Sequence, residues 1–156
     1  MKKITFILLA LISGTAFAQN SATANAAADI VSPLEITATQ ALNFGKVSNN
    51  TAGTVVIATD GSATGLSQIG GATPTAANFS VTAANGFRYN VILPGDTDLL
   101  SGTDVITVSA FNDDAGAEPT GSGAAQTIGV GATLTVAENQ PTGNYTGTFD
   151  VGVAYE

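Results

Sequence analysis

The stretch Gly143-Asn-Tyr-Thr-Gly-Thr-Phe-Asp-Val-Gly-Val-Ala-Tyr155 decides the fold of this chain, because large apolar side chains occupy nearly every second position. The odd positions hold Tyr145, Phe149, Val151, Val153 and Tyr155, with Gly147 as the one gap. A period of two predicts a strand with one apolar face and one polar face. The strand reaches the penultimate residue, so we expect its edge to be covered by something other than a following strand.

The same alternation occurs in residues 126–136, where Ile128, Val130, Ala132, Leu134 and Val136 share one face. Residues after position 18 show no apolar stripe of helical period. Two strands with one wet face each predict an all-β fold, an antiparallel β-sandwich. The further candidate strands are residues 28–38, 42–46, 54–59, 78–83, 87–93 and 104–111.

A hairpin is predicted around Asn85-Gly86. A two-residue turn there would place Phe87 and Tyr89 opposite polar positions. A three-residue loop over 84–86 instead pairs Val81 with Tyr89 and Phe79 with Val91, so that the bulky side chains share one face. We therefore favour the three-residue loop, with Gly86 in the left-handed conformation of a bulge.

The N-terminus has the form of a secretory signal peptide. Lys2 and Lys3 precede an apolar stretch over 4–12, and Ala16-Phe-Ala18 is a small-x-small cleavage site. We divide the chain into a signal peptide (1–18), an N-terminal extension (19–30) and a sandwich domain (31–156). No second hydrophobic segment follows, so we expect no membrane span after cleavage, with passage through the periplasm to the cell surface or an extracellular fibre.

Composition argues against several functions. Cleavage leaves two basic residues, Lys46 and Arg88, against twelve acidic ones, a net charge of −10, so we expect no nucleic-acid partner. The chain has no His and no Cys, and no other nucleophile–base pair is placed, so we expect no enzyme activity and no cofactor. Asp96, Asp98 and Asp104 offer oxygen ligands for calcium, but the pattern of a calcium loop fails, so turn formation is the simpler interpretation and no metal site is predicted.

Both ends of the mature chain resemble a family. The segment Ala28-Asp-Ile-Val-Ser-Pro-Leu-Glu-Ile-Thr37, followed by Leu42-Asn-Phe-Gly45, looks like the start of bacterial pilin-type domains. Pro141-x-Gly143-x-Tyr145, followed by Val151-x-Val153-x-Tyr155, resembles their end. The chain is similar to a secreted bacterial domain-of-unknown-function family close to spore-coat-protein-U-like domains and chaperone–usher fimbrial pilin subunits.

That resemblance implies an immunoglobulin-like sandwich lacking its last strand. It implies a structural subunit of a surface fibre, a fimbria or pilus, that contributes to adhesion or biofilm formation. A periplasmic chaperone would lend a strand first, and at an outer-membrane usher the extension of a neighbouring copy or related subunit would replace it. The acceptor strand would consist of Tyr145, Gly147, Phe149, Val151, Val153 and Tyr155, with Gly147 leaving a shallow pocket for a donor side chain.

The donor strand would be the N-terminal extension. Ala22, Ala24, Ala26, Ala28 and Ile30 fall on one face, and Ser21, Thr23, Asn25 and Asp29 on the other. A second interpretation stays open, in which residues 19–30 fold back on the last strand. The protein would then be a self-contained secreted sandwich that binds a surface ligand, such as a glycan, through its long loops at 60–77 and 112–125.

Overall fold

Short segments rich in Val, Thr and Ile, separated by Gly, Asn and Asp, form strands wherever a neighbouring segment pairs with them. The computed structural model describes residues 20–156, which contain nine strands and no helix. The strands are β1 (Glu35–Gln40), β2 (Gly53–Ile57), β3 (Ala63–Gly65), β4 (Ala77–Thr82), β5 (Tyr89–Ile92), β6 (Thr97–Ser101), β7 (Asp104–Asp113), β8 (Ala125–Val136) and β9 (Gly152–Tyr155). All nine lie within one compact unit, Val31–Glu156.

The strands form two antiparallel sheets. The larger has the order β1-β4-β8-β2-β3, and β7 joins it by pairing with both β8 and β6. The smaller consists of β5 and β9, with Tyr89 opposite Tyr155 and Val91 opposite Val153. The predicted all-β, antiparallel fold is confirmed, and the arrangement is that of a β-sandwich.

The long strand β8 connects the two halves of the larger sheet. Its residues 125–130 pair with β4, and its residues 132–136 pair with β2. Gly129 and Gly131 lie where it passes from one partner to the other, and a Cβ on Gly131 would collide with the carbonyl oxygen of Ile57. The absence of side chains at this point allows the backbones to approach closely.

The core consists of two clusters, one around Val55, Ile57 and Val108 and the other around Val81, Tyr89 and Val130. Leu42 and Phe111 pack against both clusters. A bulge in β7, where Ala110 has a φ of 50° and the register shifts between Ser109 and Asn112, accounts for the position of Phe111. The bulge turns Phe111 toward the face that Ile106 and Val108 occupy. In a regular strand, Ala110 would lie on that face and Phe111 on the opposite one.

Several expectations about strands need correction. The predicted pairing of residues 79–83 with 87–91 is wrong, because β1 and β8 occupy the two edges of β4 while β5 pairs with β9. The turn itself is present, since Gly86 has a φ of 81° and the amide of Phe87 donates to the carbonyl of Ala84. The first strand begins at Glu35 and not at Ala28, and residues 42–46 form only one isolated bridge, between Asn43 and Thr75.

Strand β6 is not among the predicted strands, because Asp96, Asp98 and Asp104 in and around it favour turns. Its side chains alternate between partly buried and exposed, and Ser101 faces Asp104 across a two-residue turn in which Gly102 has a φ of 64°. The pair Leu99-Leu100 before Ser101-Gly102 was the signal that would have revealed it. Among residues 20–156 no helix is long and apolar enough to cross a bilayer.

Candidate functional site: an unpaired edge beside an apolar groove

The terminal segment, residues 145–155, shows the predicted alternation in its burial. Tyr145, Phe149, Val151, Val153 and Tyr155 are partly buried, whereas Thr146, Thr148, Asp150 and Ala154 are exposed. The aromatic members pack into the core, because the Phe149 ring lies 5.0 Å from that of Phe111 and 6.4 Å from that of Phe79. One face of the segment therefore belongs to the interior of the sandwich.

The middle of the terminal segment forms no hydrogen-bonded ladder with a neighbouring strand. Thr146 exchanges two backbone hydrogen bonds of 2.9 Å with Leu100, and the ladder between β9 and β5 begins at Gly152. Among the described residues, the backbone amides and carbonyls of 147–151 make no hydrogen bond. This is why the strand predicted over 145–155 is reduced to Gly152–Tyr155. The stretch in between is an open edge.

A turn fixes the start of the terminal segment. The Tyr145 hydroxyl donates to the carbonyl of Pro141 at 2.8 Å and accepts from Nε2 of Gln140 at 3.0 Å. Nδ2 of Asn49 donates to the carbonyl of Gln140 at 2.7 Å, and the amide of Asn139 donates to the carbonyl of Asn49 at 2.9 Å. These bonds explain the motif Pro141-x-Gly143-x-Tyr145 and join the segment to residues 42–50.

Residues 42–48 face the start of the terminal segment across a groove. Asn43 exchanges two backbone hydrogen bonds of 2.9 Å with Thr75, and the carbonyl of Lys46 accepts from the amide of Ile69 at 2.7 Å. Phe44 is buried, and Gly45 has a φ of 76°, a left-handed conformation that favours glycine. The loop after β3 therefore pairs with one edge of the Leu42-Asn-Phe-Gly45 segment.

A groove of about 1080 Å³ lies between residues 42–50 and 140–149. Its floor consists of core side chains that are less than a tenth exposed, namely Ile106, Val108, Leu134 and Val136. Phe111, Tyr145 and Phe149 line it together with Gly147, and Lys46 stands on its rim. The groove is therefore an opening into the core of the sandwich beside an unpaired backbone edge.

The surroundings of Gly147 differ from the expected shallow pocket. A Cβ at this position would lie 2.7 Å from the carbonyl oxygen of Asp98 and 2.8 Å from Cδ2 of Leu99. Real Cβ atoms do not approach backbone oxygen so closely, so the close approach of β6 explains the glycine. The large opening lies over Ile106, Val108, Leu134 and Val136, which the sequence did not associate with a site.

The predicted donor residues belong to a different part of the chain. Within residues 20–30, Ala22, Ala24, Ala26, Ala28 and Ile30 are exposed, and none of them belongs to a strand. The predicted signal peptide (1–18) and Gln19 lie outside the described residues. Of the six residues predicted as the acceptor, Tyr145, Gly147 and Phe149 line the groove, and the described part of the predicted donor is an exposed segment.

The charged groups around the site are few. Arg88 forms an ion pair of 2.8 Å with Glu118, whereas Lys46 is exposed at the groove. Asp98 lies on β6, and its Oδ1 accepts a hydrogen bond of 2.9 Å from Thr107. In the part of the chain from residue 20 onward, no three acidic side chains come close enough to hold a metal ion. Burial of Tyr89, with a smaller contribution from the charge of Asp113, raises the pKa of its phenol above the usual 10.0.

The chain belongs to a family described as Domain of unknown function (DUF4402), whose sequence profile matches residues 34–155. The matched region begins just before β1 and ends with β9, so it includes both walls and the floor of the groove. Searches found no match among curated proteins or among solved structures. The predicted membership of a domain-of-unknown-function family is confirmed, and the similarity to pilins remains a prediction.

Proposed function

We propose that this member of the DUF4402 family is a structural subunit of a bacterial surface fibre that assembles by donor-strand exchange. The observation that carries the proposal is the unpaired backbone of residues 147–151 beside a groove whose floor is the core itself. Backbone amides and carbonyls near an apolar interior are normally paired. An edge of this kind is therefore suited to receive another strand.

The chemistry of the groove specifies the kind of ligand that fits it. An extended segment would pair its backbone with residues 147–151, and every second side chain would point onto Val108, Leu134 and their neighbours. Such binding gains both hydrogen bonds and apolar burial. A ligand with an alternating apolar face meets both requirements.

The N-terminal extension has this alternation. The even-numbered residues from 22 to 30 give one face of four alanines and Ile30, the odd-numbered ones are polar except for Ala27, and residues 20–30 are exposed. In the fibre the extension of one copy, or of a related subunit, occupies the groove of the next. The acceptor contacts come from Tyr145, Gly147, Phe149, Val151, Val153 and Tyr155.

The fold we propose is an immunoglobulin-like sandwich without its final strand. The bond from the Tyr145 hydroxyl to the carbonyl four residues upstream supports this, because immunoglobulin-like sandwiches have a tyrosine corner of the same form at their penultimate strand. Export through the inner membrane, a periplasmic chaperone and an outer-membrane usher complete the proposal. The chaperone would cover the groove until assembly.

The first experiment is a gel of material sheared from cells, loaded with and without boiling. Strand-exchanged polymers would give a ladder that collapses to monomer on heating. Deleting residues 19–28 is expected to leave a folded monomer and no ladder. A full-length chain that stays monomeric under conditions of secretion would contradict the proposal.

A matched pair of substitutions tests which face of the extension docks. Ala24→Asp puts a charge on the face directed at the groove, and Thr23→Asp puts the same charge on the opposite face. We expect the first to abolish the ladder and the second to preserve it, because burying an unpaired carboxylate is very unfavourable. Equal ladders from the two variants would mean that the extension does not dock by this face.

The alternative, a self-contained sandwich, requires residues 19–30 to complete the sheet of their own chain. The deletion separates the two, since removing a self-paired strand would lower the melting temperature of the monomer. Removing a free donor would leave that temperature unchanged.

A further inference from the structure

Two residues of the N-terminal extension stand apart from the rest. Ile30 is its one large apolar side chain, and it is 98% exposed. Asp29 is its one charged side chain. Both lie at the end of the extension that joins the sandwich domain, so the two ends of the extension differ in chemistry.

The two ends of the groove also differ from each other. Its large opening lies toward residues 42–50 and 140–149, and its floor there consists of Ile106, Val108, Leu134 and Val136. Toward the other end, β9 approaches β1, and the Tyr155 hydroxyl donates to the carbonyl of Ser32 at 3.1 Å. A large side chain therefore finds space only near Tyr145.

The charges at the groove favour the same direction of docking, with the Ile30 end of the extension at the large opening. Arg88 is already paired with Glu118, so Lys46 is the basic side chain of residues 20–156 that has no carboxylate within ion-pair distance. Lys46 lies on the rim of the large opening. The one charge of the extension is of the opposite sign.

We propose that, in the strand exchange put forward above, Ile30 of one copy fills the large opening of the next copy and Asp29 lies beside Lys46. The inference rests on the proposed function, because it specifies the register of the same contact. The extension then runs opposite to the terminal segment, with Ile30 near Tyr145 and Ala22 near Val153. Residues 20–30 and residues 145–155 have equal lengths, roughly 33 Å when extended, so the two segments match end to end.

The reverse direction is much less favourable. It would place only alanine methyl groups over the exposed floor and would bring Ile30 to the closed end near Tyr155. A poorly filled opening forfeits the apolar burial that the side chain of Ile30 supplies. It would also separate the single opposite charges by most of the length of the groove.

A disulfide-trapping experiment on the full-length chain tests this register directly. The chain has no cysteine, so an introduced pair is unambiguous. Asp29→Cys combined with Lys46→Cys is expected to give a covalent ladder on a boiled, non-reducing gel that collapses with reductant, because adjacent strands bring such residues within disulfide reach. The control, Asp29→Cys with Ala154→Cys, places the second thiol at the other end of the acceptor and is expected to give no ladder.

The outcomes separate the register from the function. A covalent ladder from the control pair alone would overturn the register and keep strand exchange. Heat-sensitive ladders without covalent products from either pair would also overturn it. Absence of the heat-sensitive ladder from the unaltered chain would contradict the proposed function itself.

A second measurement addresses the side chain. Ile30→Ala is expected to weaken the polymer roughly 10- to 100-fold, measured as the rate at which subunits dissociate in denaturant, since it removes about three buried carbon groups. Ile92→Ala is the control, because Ile92 is also exposed but lies on β5 away from the groove. Equal effects of the two substitutions would count against the assignment of Ile30.

Discussion

Replacing Tyr145 by Phe tests whether the hydroxyl fixes the start of the terminal segment, residues 145–155. The substitution keeps the ring, which packs against the core cluster around Val108. It removes the bond to the carbonyl of Pro141 and the bond from Nε2 of Gln140. Gln140 keeps its second contact, a bond of 3.0 Å from Nε2 to the carbonyl of Val105.

The expected loss follows from these two bonds. A hydrogen bond contributes about 0.5–1.5 kcal/mol net, and Tyr145 is only partly buried, so we expect a loss of about 1–2 kcal/mol in the free energy of unfolding. For a unit of this size that corresponds to about 4–8 °C in melting temperature. Because the turn holds one wall of the groove, we also expect less polymer.

The assay is urea and thermal unfolding of the mature chain, followed by circular dichroism at a concentration that keeps it monomeric. Tyr89→Phe is the matched control, because the Tyr89 hydroxyl has no hydrogen-bond partner among residues 20–156 while its ring is buried. At neutral pH we expect that control to change stability by less than about 0.5 kcal/mol. A loss for Tyr145→Phe no larger than this would refute the role of the turn.

Two further predictions concern Tyr89 and Gly147. Burial raises the pKa of Tyr89, so its contribution to stability is present below pH 10 and is lost as the pH rises through the higher folded-state pKa. The urea midpoint of unfolding should therefore fall above pH 10, and it should fall less steeply for Tyr89→Phe. Equal slopes for the two proteins would speak against this reasoning. Gly147→Ala should cost about 1–3 kcal/mol through contact with Asp98 and Leu99. Gly95→Ala, where a Cβ meets nothing within 4 Å, should be nearly neutral, and similar losses at both sites would show that the close approach does not matter.

Local alternation was sufficient to identify which side chains face the core. In residues 126–136 and 145–155 the structure buries every apolar position read from the sequence wholly or partly, although it also buries Gly129 and Gly131 on the other face of β8. A strand places successive side chains on opposite faces whatever its neighbours are, so this information is contained in the segment itself. The core-facing residues of the terminal segment could be predicted for that reason, and their role as an acceptor stays a prediction.

Which strands pair with each other could not be predicted from the separate segments. Residues 79–83 and 87–91 have complementary faces and a suitable turn, yet β4 lies between β1 and β8 while β5 crosses to pair with β9. Strand β6 lies between the turn-favouring residues Asp96 and Asp104 and becomes a strand because β7 and Thr146 pair with it. Hydrogen bonds between strands depend on which edges the packed sheets leave free, and that is a property of the whole domain.

The sequence alone shows an acidic, cysteine-free chain and predicts a β-protein with an apolar terminal strand and an alternating extension, while export stays a prediction from its N-terminus. The tertiary structure decided where that strand is paired, where its edge is open, and which core side chains form the floor of the groove. Gly147 illustrates the difference, because its neighbours in the chain suggest a pocket and its neighbours in space, Asp98 and Leu99, fill it. Side-chain orientation repeats every two residues along one segment, whereas an opening exists only where several distant segments fail to meet.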